Sequence, residues 1–216
     1  MKQRTSKKKK VTAILLTCLI GVLAIGGTLA YLTAKTATLT NNFTFSGGVT
    51  ATLTEPAWEA GKAADANYGT NLTPGTELGK DPIVTNTCAE DEYVALKVVF
   101  QKGDGTTLSD AEFAKLMTMI DIQGWGTEWV ADAAVGPTTI YNYNTQLVAG
   151  TETTPLFQKV VIKSTLSNTD IEWLRDAGTG LGGFNIVVSG AAIQTDGFST
   201  YTDAKTDLNA LFTTTP

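Results

Sequence analysis

One stretch of strictly alternating residues constrains the fold of this chain more than any other. From Tyr93 to Phe100, every second side chain, namely Val94, Leu96, Val98 and Phe100, falls on one face of an extended chain. The residues between them, Tyr93, Ala95, Lys97 and Val99, fall on the other. A period of two residues is that of a β-strand, since successive side chains of a strand point to opposite faces. The stretch therefore predicts a strand, the strongest in the chain.

Turn residues and shorter apolar runs predict further strands along the chain. Pro74 and Gly75 suit the two corner positions of a type II turn, so a chain reversal is expected between Thr73 and Thr76. Gly47 and Gly48 mark a bend between two short strands within the range Ala37 to Leu53. The other predicted strands lie within Lys80 to Asn86, Gly124 to Trp129, Thr139 to Asn144, Thr154 to Ile162 and Phe184 to Gln194.

Helical signals are few. Ser109 and Glu112 form a capping-box pattern ahead of apolar residues at helical spacing, and Tyr201 to Phe212 has the spacing of a terminal helix. Ile171 to Asp176 suits a short helical turn, and Thr54 to Asn71 is expected to be a long surface loop. Strands and helices do not alternate regularly, which argues against a parallel sheet. The prediction is a mainly β fold, an antiparallel two-sheet sandwich with one or two short helices.

The N-terminus has the three parts of a secretory signal. Six of the first ten residues are basic, Val11 to Ile25 carries no charge, and Gly26 to Ala30 consists mostly of small residues. We place the cleavage between Ala30 and Tyr31, so that residues 1–30 are the signal peptide and residues 31–216 one domain. The alternative is an uncleaved membrane anchor over Val11 to Leu32; a lipoprotein signal ending at Cys18 fits the sequence less well.

Charge and cysteine content separate this head from the rest of the chain. The formal net charge is -5, but the six basic residues of the head leave the remainder with 10 basic and 21 acidic residues, a balance of -11. Such an acidic surface repels phosphate backbones, so no nucleic acid is expected as a partner. Removal of the head also removes Cys18, so Cys88 has no partner for a disulfide within the chain.

Several short motifs resemble the TasA/camelysin family of secreted Gram-positive proteins. They are Gly26 to Thr33, Asn42 to Phe45, Leu72, Pro74-Gly75, Lys80-Asp81, Asn86, the strand from Tyr93, Leu156-Phe157 and Ala192 to Thr195. The resemblance implies a jelly-roll domain, processing by a signal peptidase of the SipW type, and assembly into biofilm-matrix or cell-surface fibres. The chain departs from the family at Thr33-Ala34-Lys35, where an acidic residue often follows the aromatic one.

Enzymatic functions are poorly supported. The chain has no histidine, which excludes the histidine-dependent nucleophile triads and the zinc-protease helix motif. Camelysin-type relatives have been classed as metallopeptidases, but here a metal site would need a shell made of carboxylates alone. Asp170 and Glu172 could in principle serve glycoside hydrolysis, although any acidic protein offers such pairs. We therefore expect no enzyme activity, no catalytic residues, no metal and no cofactor.

The favoured hypothesis is a secreted structural subunit of an extracellular fibre that assembles by β-strand addition. Residues 31–45 would complete the sheet of the next subunit, with Leu39, Phe43 and Phe45 filling alternate pockets. An open contact of that kind produces filaments rather than closed rings. Alternatively, the segment is simply the first strand of its own monomer. The partners expected are the signal peptidase and other copies of the chain, with a membrane contacted only through the uncleaved signal segment.

A second hypothesis is a monomeric secreted adhesin or carbohydrate-binding module. Its ligand aromatics would be Trp58, Trp125, Trp129 and Tyr141, which suit a glycan groove if they lie side by side on an exposed face. The same residue types also fill the interior of a β-sandwich. Burial of these rings would count against a binding module.

Overall fold

The computed structural model of the chain describes residues 33–35, 41–42 and 49–213, the first two ranges as backbone only. The strands are β1 (Thr33–Lys35), β2 (Asn41–Asn42), β3 (Ala51–Thr54), β4 (Glu77–Gly79), β5 (Ile83–Asn86), β6 (Glu92–Lys102), β7 (Ile120–Gln123), β8 (Trp129–Ala131), β9 (Thr138–Tyr143), β10 (Lys159–Ile162) and β11 (Phe184–Gln194). The helices of this part are α1 (Pro56–Ala64), α2 (Asp110–Met119), α3 (Asn168–Arg175) and α4 (Tyr201–Ala210). The mainly β prediction is confirmed.

The largest sheet has five strands in the order β1-β11-β6-β9-β8, and every pair in it is antiparallel. Its centre is the pair of β6 with β11, which runs over eleven residues from Phe184 opposite Lys102 to Gln194 opposite Glu92. The predicted strand from Tyr93 to Phe100 lies inside β6. The expected pairing of Gly124–Trp129 with Thr139–Asn144 is realised as β8 with β9, but β8 begins only at Trp129 and β9 lies inside the sheet.

Two three-stranded antiparallel sheets complete the β-structure, in the orders β2-β3-β5 and β4-β10-β7. The chain between them passes along both. Thr85 of β5 makes an isolated antiparallel bridge with Glu152, and the amide of Leu156 donates to the carbonyl oxygen of Pro82. Leu156 and Phe157, which follow that bridge, are fully buried. The turn at Thr73 to Thr76 also forms as predicted, with Gly75 at a φ of 89°.

Both faces of β6 are covered near its start. Val94, Leu96, Val98 and Phe100 are buried on what we call the inner face. On the opposite, outer face, Tyr93 and Ala95 pack in a cluster with residues of β11 and the C-terminal helix, namely Ala191, Ile193, Ala204, Leu208 and Leu211. This explains why residues of both parities are apolar in the sequence here. The terminal helix predicted over Tyr201 to Phe212 is thus confirmed as α4.

The helices are more numerous than the one or two predicted. The predicted loop from Thr54 to Asn71 was wrong, because it contains α1. Pro56 begins this helix, and the amide of Ala57 donates at 2.8 Å to the Oδ1 atom of Asp81, 24 residues away. Gly61 disfavours a helix locally, but a side chain at this position would clash with the ring of Tyr68. The capping box at Ser109 and Glu112 is confirmed at the start of α2.

Candidate functional site

The predicted assembly segment contributes two edge strands to the described structure. Thr33, Ala34 and Lys35 of β1 pair with Ile193, Ala192 and Ala191 of β11. Asn41 and Asn42 of β2 pair with Leu53 and Thr52 of β3. The segment thus reaches an edge of the largest sheet and an edge of a smaller one. The proposed cleavage residues Ala30 and Tyr31, and the proposed pocket residues Leu39, Phe43 and Phe45, lie outside the described residues.

Helix α4 supports the part of β11 that β1 pairs with. Ala191 and Ile193, two of the three partners of β1, belong to the cluster under this helix. The helix is also held by polar contacts at its sides: Lys205 forms an ion pair with Asp132, and the ammonium of Lys97 lies 3.4 Å from the carbonyl oxygen of Phe212. The pairing site of β1 is therefore backed by an apolar layer.

Glu92, the first residue of β6, is a fully buried acid. It has the parity of Val94 and so lies on the inner face. Neither carboxylate oxygen has a partner with hydrogen-bond geometry. Burial raises the pKa of Glu92 to about 7, and the backbone amide of Thr50 and the thiol of Cys88, which face the carboxylate, offset only part of that rise. Sequence analysis missed this residue, although its parity with Val94 was the available signal.

The loop that leads to Glu92 is organised by the buried side chain of Asn86. Its Nδ2 atom donates to the carbonyl oxygens of Glu90 and Leu147, at 2.8 and 3.0 Å. Its Oδ1 atom accepts the amide of Cys88 at 2.8 Å. Glu92 and Leu147 then exchange both backbone hydrogen bonds. Asn86 thereby fixes Cys88, which is half-buried, beside Glu92.

A second buried acid has a partner. Both carboxylate oxygens of Glu55, which precedes α1, accept from the ammonium of Lys80, which follows β4. Burial raises the pKa of Glu55, and the charge of Lys80 opposes that rise. The ring of Trp58 lies 5.5 Å from the Lys80 ammonium and packs edge-on against Tyr68. Because Asp81 caps α1, the pair Lys80-Asp81 attaches this helix to the sheet.

The four proposed ligand aromatics are not brought together on an exposed face. Trp129 and Tyr141 are buried, and the Nε1 atom of Trp129 donates to the carbonyl oxygen of Thr154. Trp58 is half-buried against Tyr68 in the α1 region. Trp125 is 43% exposed and stacks on Tyr141, with 5.4 Å between the ring centroids. Burial raises the pKa of Tyr141 to about 12, as expected for a packed phenol.

The acidic residues considered for chemistry have local structural roles. Asp170 accepts hydrogen bonds from the amide and hydroxyl of Ser167 and so caps α3, which lowers the pKa of its carboxyl. Within residues 33–35, 41–42 and 49–213, no three His, Cys, Asp or Glu residues lie close enough together to hold a metal ion. In that same part of the chain, no helix has the length and apolar character needed to cross a membrane.

Comparison of the chain with protein-family models, with curated proteins and with solved structures finds no match.

Proposed function

We propose that this chain is a secreted structural subunit of an extracellular fibre that assembles by β-strand addition. The proposal includes a two-sheet sandwich of jelly-roll type, membership of the TasA/camelysin family, and removal of residues 1–30 by a signal peptidase of the SipW type. The signal-peptide pattern and the motifs described above support these parts.

The observation that carries the proposal is the pairing of β1. This strand comes from the segment just after the proposed cleavage site and adds to the edge of the largest sheet through three residues. By contrast, β11 and β6 pair through eleven. A short edge strand is held mainly by main-chain hydrogen bonds, which an identical strand of another copy makes equally well. In a fibre, β1 of one subunit would occupy the same position on β11 of the next.

The test uses a disulfide that reports which copy donates the strand. Ala34 and Ala192 are register partners, so Ala34→Cys and Ala192→Cys in a Cys88→Ser background place two thiols across this pair. The chain beginning at Tyr31 is expected to form filaments by negative-stain electron microscopy. Oxidised filaments then give a ladder of covalent oligomers on a non-reducing gel, whereas monomers give only an internal bond.

Two variants at one position serve as the matched control. Ala34→Pro removes an amide from β1, while Ala34→Ser keeps it, so filaments are expected from the serine variant and not from the proline variant. A chain that lacks residues 31–45 should also remain monomeric. Folded monomers from every form, with internal disulfides alone, would overturn the proposal. The alternative of a monomeric binding module would then rest on Trp125, the proposed ligand aromatic with the most exposed ring.

A further inference from the structure

The N-terminal segment joins the body of the protein at Val49 and Thr50. Val49 is fully buried, and the amide and the hydroxyl of Thr87 both donate to the carbonyl oxygen of Thr50 at 2.9 Å. β3 begins at the next residue, Ala51, which pairs with Asn86. Any departure of β1 and β2 from their own subunit must pivot near this junction.

The carboxylate of Glu92 faces the same junction. The amide of Thr50 points toward it from one side and the thiol of Cys88 from the other, and no charged group contributes to its electrostatic environment in the described part of the chain. The neighbouring acid Asp91 is turned away, because its carboxylate accepts from Gln146 and from the amide of Ala149. Across the strand pair, Glu92 is opposite the uncharged Gln194. Cys88 is therefore the one titratable group that faces Glu92 among these residues.

We propose that Glu92 makes the release of the N-terminal segment depend on pH: its neutral form keeps the junction at Thr50 closed, and its ionised form opens it. This inference rests on the strand-addition function proposed above, because it names the control of that same strand. The signal is internal to each subunit. The fraction of copies with a free β1, and hence the rate of assembly, would rise with pH.

The direction follows from burial. A neutral carboxylic acid is tolerated in a dry interior, whereas a carboxylate needs water or several donors, and Thr50 and Cys88 supply too few. Opening the junction admits water, so ionisation favours the open form. The pKa of Glu92 is about 7 in the closed form, against an ordinary value of 4.5 once water has entered. That difference allows the opening equilibrium to rise by roughly a hundredfold between pH 5 and pH 8.

Hydrogen exchange of the dilute monomer tests the inference without requiring filaments. The chain from Tyr31 and its Glu92→Gln variant are compared at each pH from 5 to 8, so that intrinsic exchange rates cancel in the ratio of the two proteins. Glutamine has the size of the neutral acid and does not ionise. For amides of β1, β2 and Val49 to Thr54, we expect the ratio of wild-type to variant opening to rise up to a hundredfold. For α3, which has no contact with this junction, we expect a constant ratio.

A constant ratio at the N-terminal segment would overturn the inference. If the glutamine variant does not fold, a carbon-13 carboxyl titration of wild-type Glu92 replaces it, and a midpoint near 4.5 would be equally fatal. Electron microscopy of the same samples keeps the two proposals apart. Filaments whose formation is independent of pH contradict the control by Glu92 alone. A rising exchange ratio without filaments at any pH supports the opening and contradicts the assembly function.

Discussion

The ammonium of Lys80 lies 2.7 and 2.8 Å from the two carboxylate oxygens of Glu55, and both side chains are buried. Twenty-five residues separate them in the chain, so the pair ties the start of α1 to the end of β4. A buried ion pair gains little over apolar residues of similar size, but loss of one partner leaves a charge without compensation. The pair therefore makes the position of α1 sensitive to single substitutions.

Lys80→Met is expected to lower the free energy of unfolding by about 3–5 kcal/mol at pH 7, because Glu55 is then buried alone. The double variant Glu55→Leu with Lys80→Met should be more stable than the single one. Urea denaturation of the wild type and both variants measures the difference. A loss below about 1 kcal/mol in Lys80→Met would show that the pair is accessible to water.

Glu92 predicts that stability falls as pH rises. Its pKa is raised from 4.5 to about 7 in the folded state, so the folded state holds this proton more tightly than the unfolded one. The resulting stabilisation is complete below pH 4.5 and is lost as pH rises to about 7, with a total of at most about 3 kcal/mol. Because Glu55 also has a raised pKa, the informative quantity is the difference between wild type and Glu92→Gln in urea denaturation at each pH. Parallel curves for the two proteins would refute the prediction.

Leu208→Ala is expected to lower the free energy of unfolding by about 2–5 kcal/mol, because Leu208 is buried in the cluster between α4 and the outer face of the sheet. Lys205→Ala is the matched control on the same helix, since it removes only the partly exposed ion pair with Asp132 and should change stability by less than about 1 kcal/mol. Thermal unfolding followed by circular dichroism compares them. Equal losses in the two variants would contradict the packing described for α4.

The two tryptophans beside β7 and β8 should differ in their energetic roles. Trp129→Ala is expected to lose about 3–5 kcal/mol, since the ring is buried and its Nε1 atom is hydrogen-bonded. Trp125→Ala should lose clearly less, because 43% of Trp125 is already exposed. Guanidinium denaturation measures both. The reverse order would mean that Trp125, rather than Trp129, anchors this part of the structure.

The sequence predicted strands well where the residue pattern is decided locally. Alternation from Tyr93 to Phe100 and the apolar run from Phe184 located the two central strands, and the serine and glutamate at the start of α2 located that helix. It failed at α1, whose first turn is capped by Asp81 from a distant part of the chain. Local propensity cannot report a cap of that kind.

The candidate site was predictable only in part, for a similar reason. The alternation of β6 placed Glu92 on the inner face, but its burial depends on Thr50 and on the loop fixed by Asn86, which are brought together by tertiary structure. The same limit applies to the aromatics. Trp129 and Tyr141 are of a type used both in binding grooves and in cores, and only packing distinguishes these uses.

The pairing of β1 with β11 also has a consequence for the order of events during synthesis. Thr33 is made near the beginning of the chain and its partner Ile193 near the end, so for most of translation β1 has no strand of its own chain to pair with. Pairs so distant in sequence form slowly, because a long stretch of chain must be ordered to close them. Until β11 is complete, a folded neighbour is the first partner that the N-terminal strand can meet.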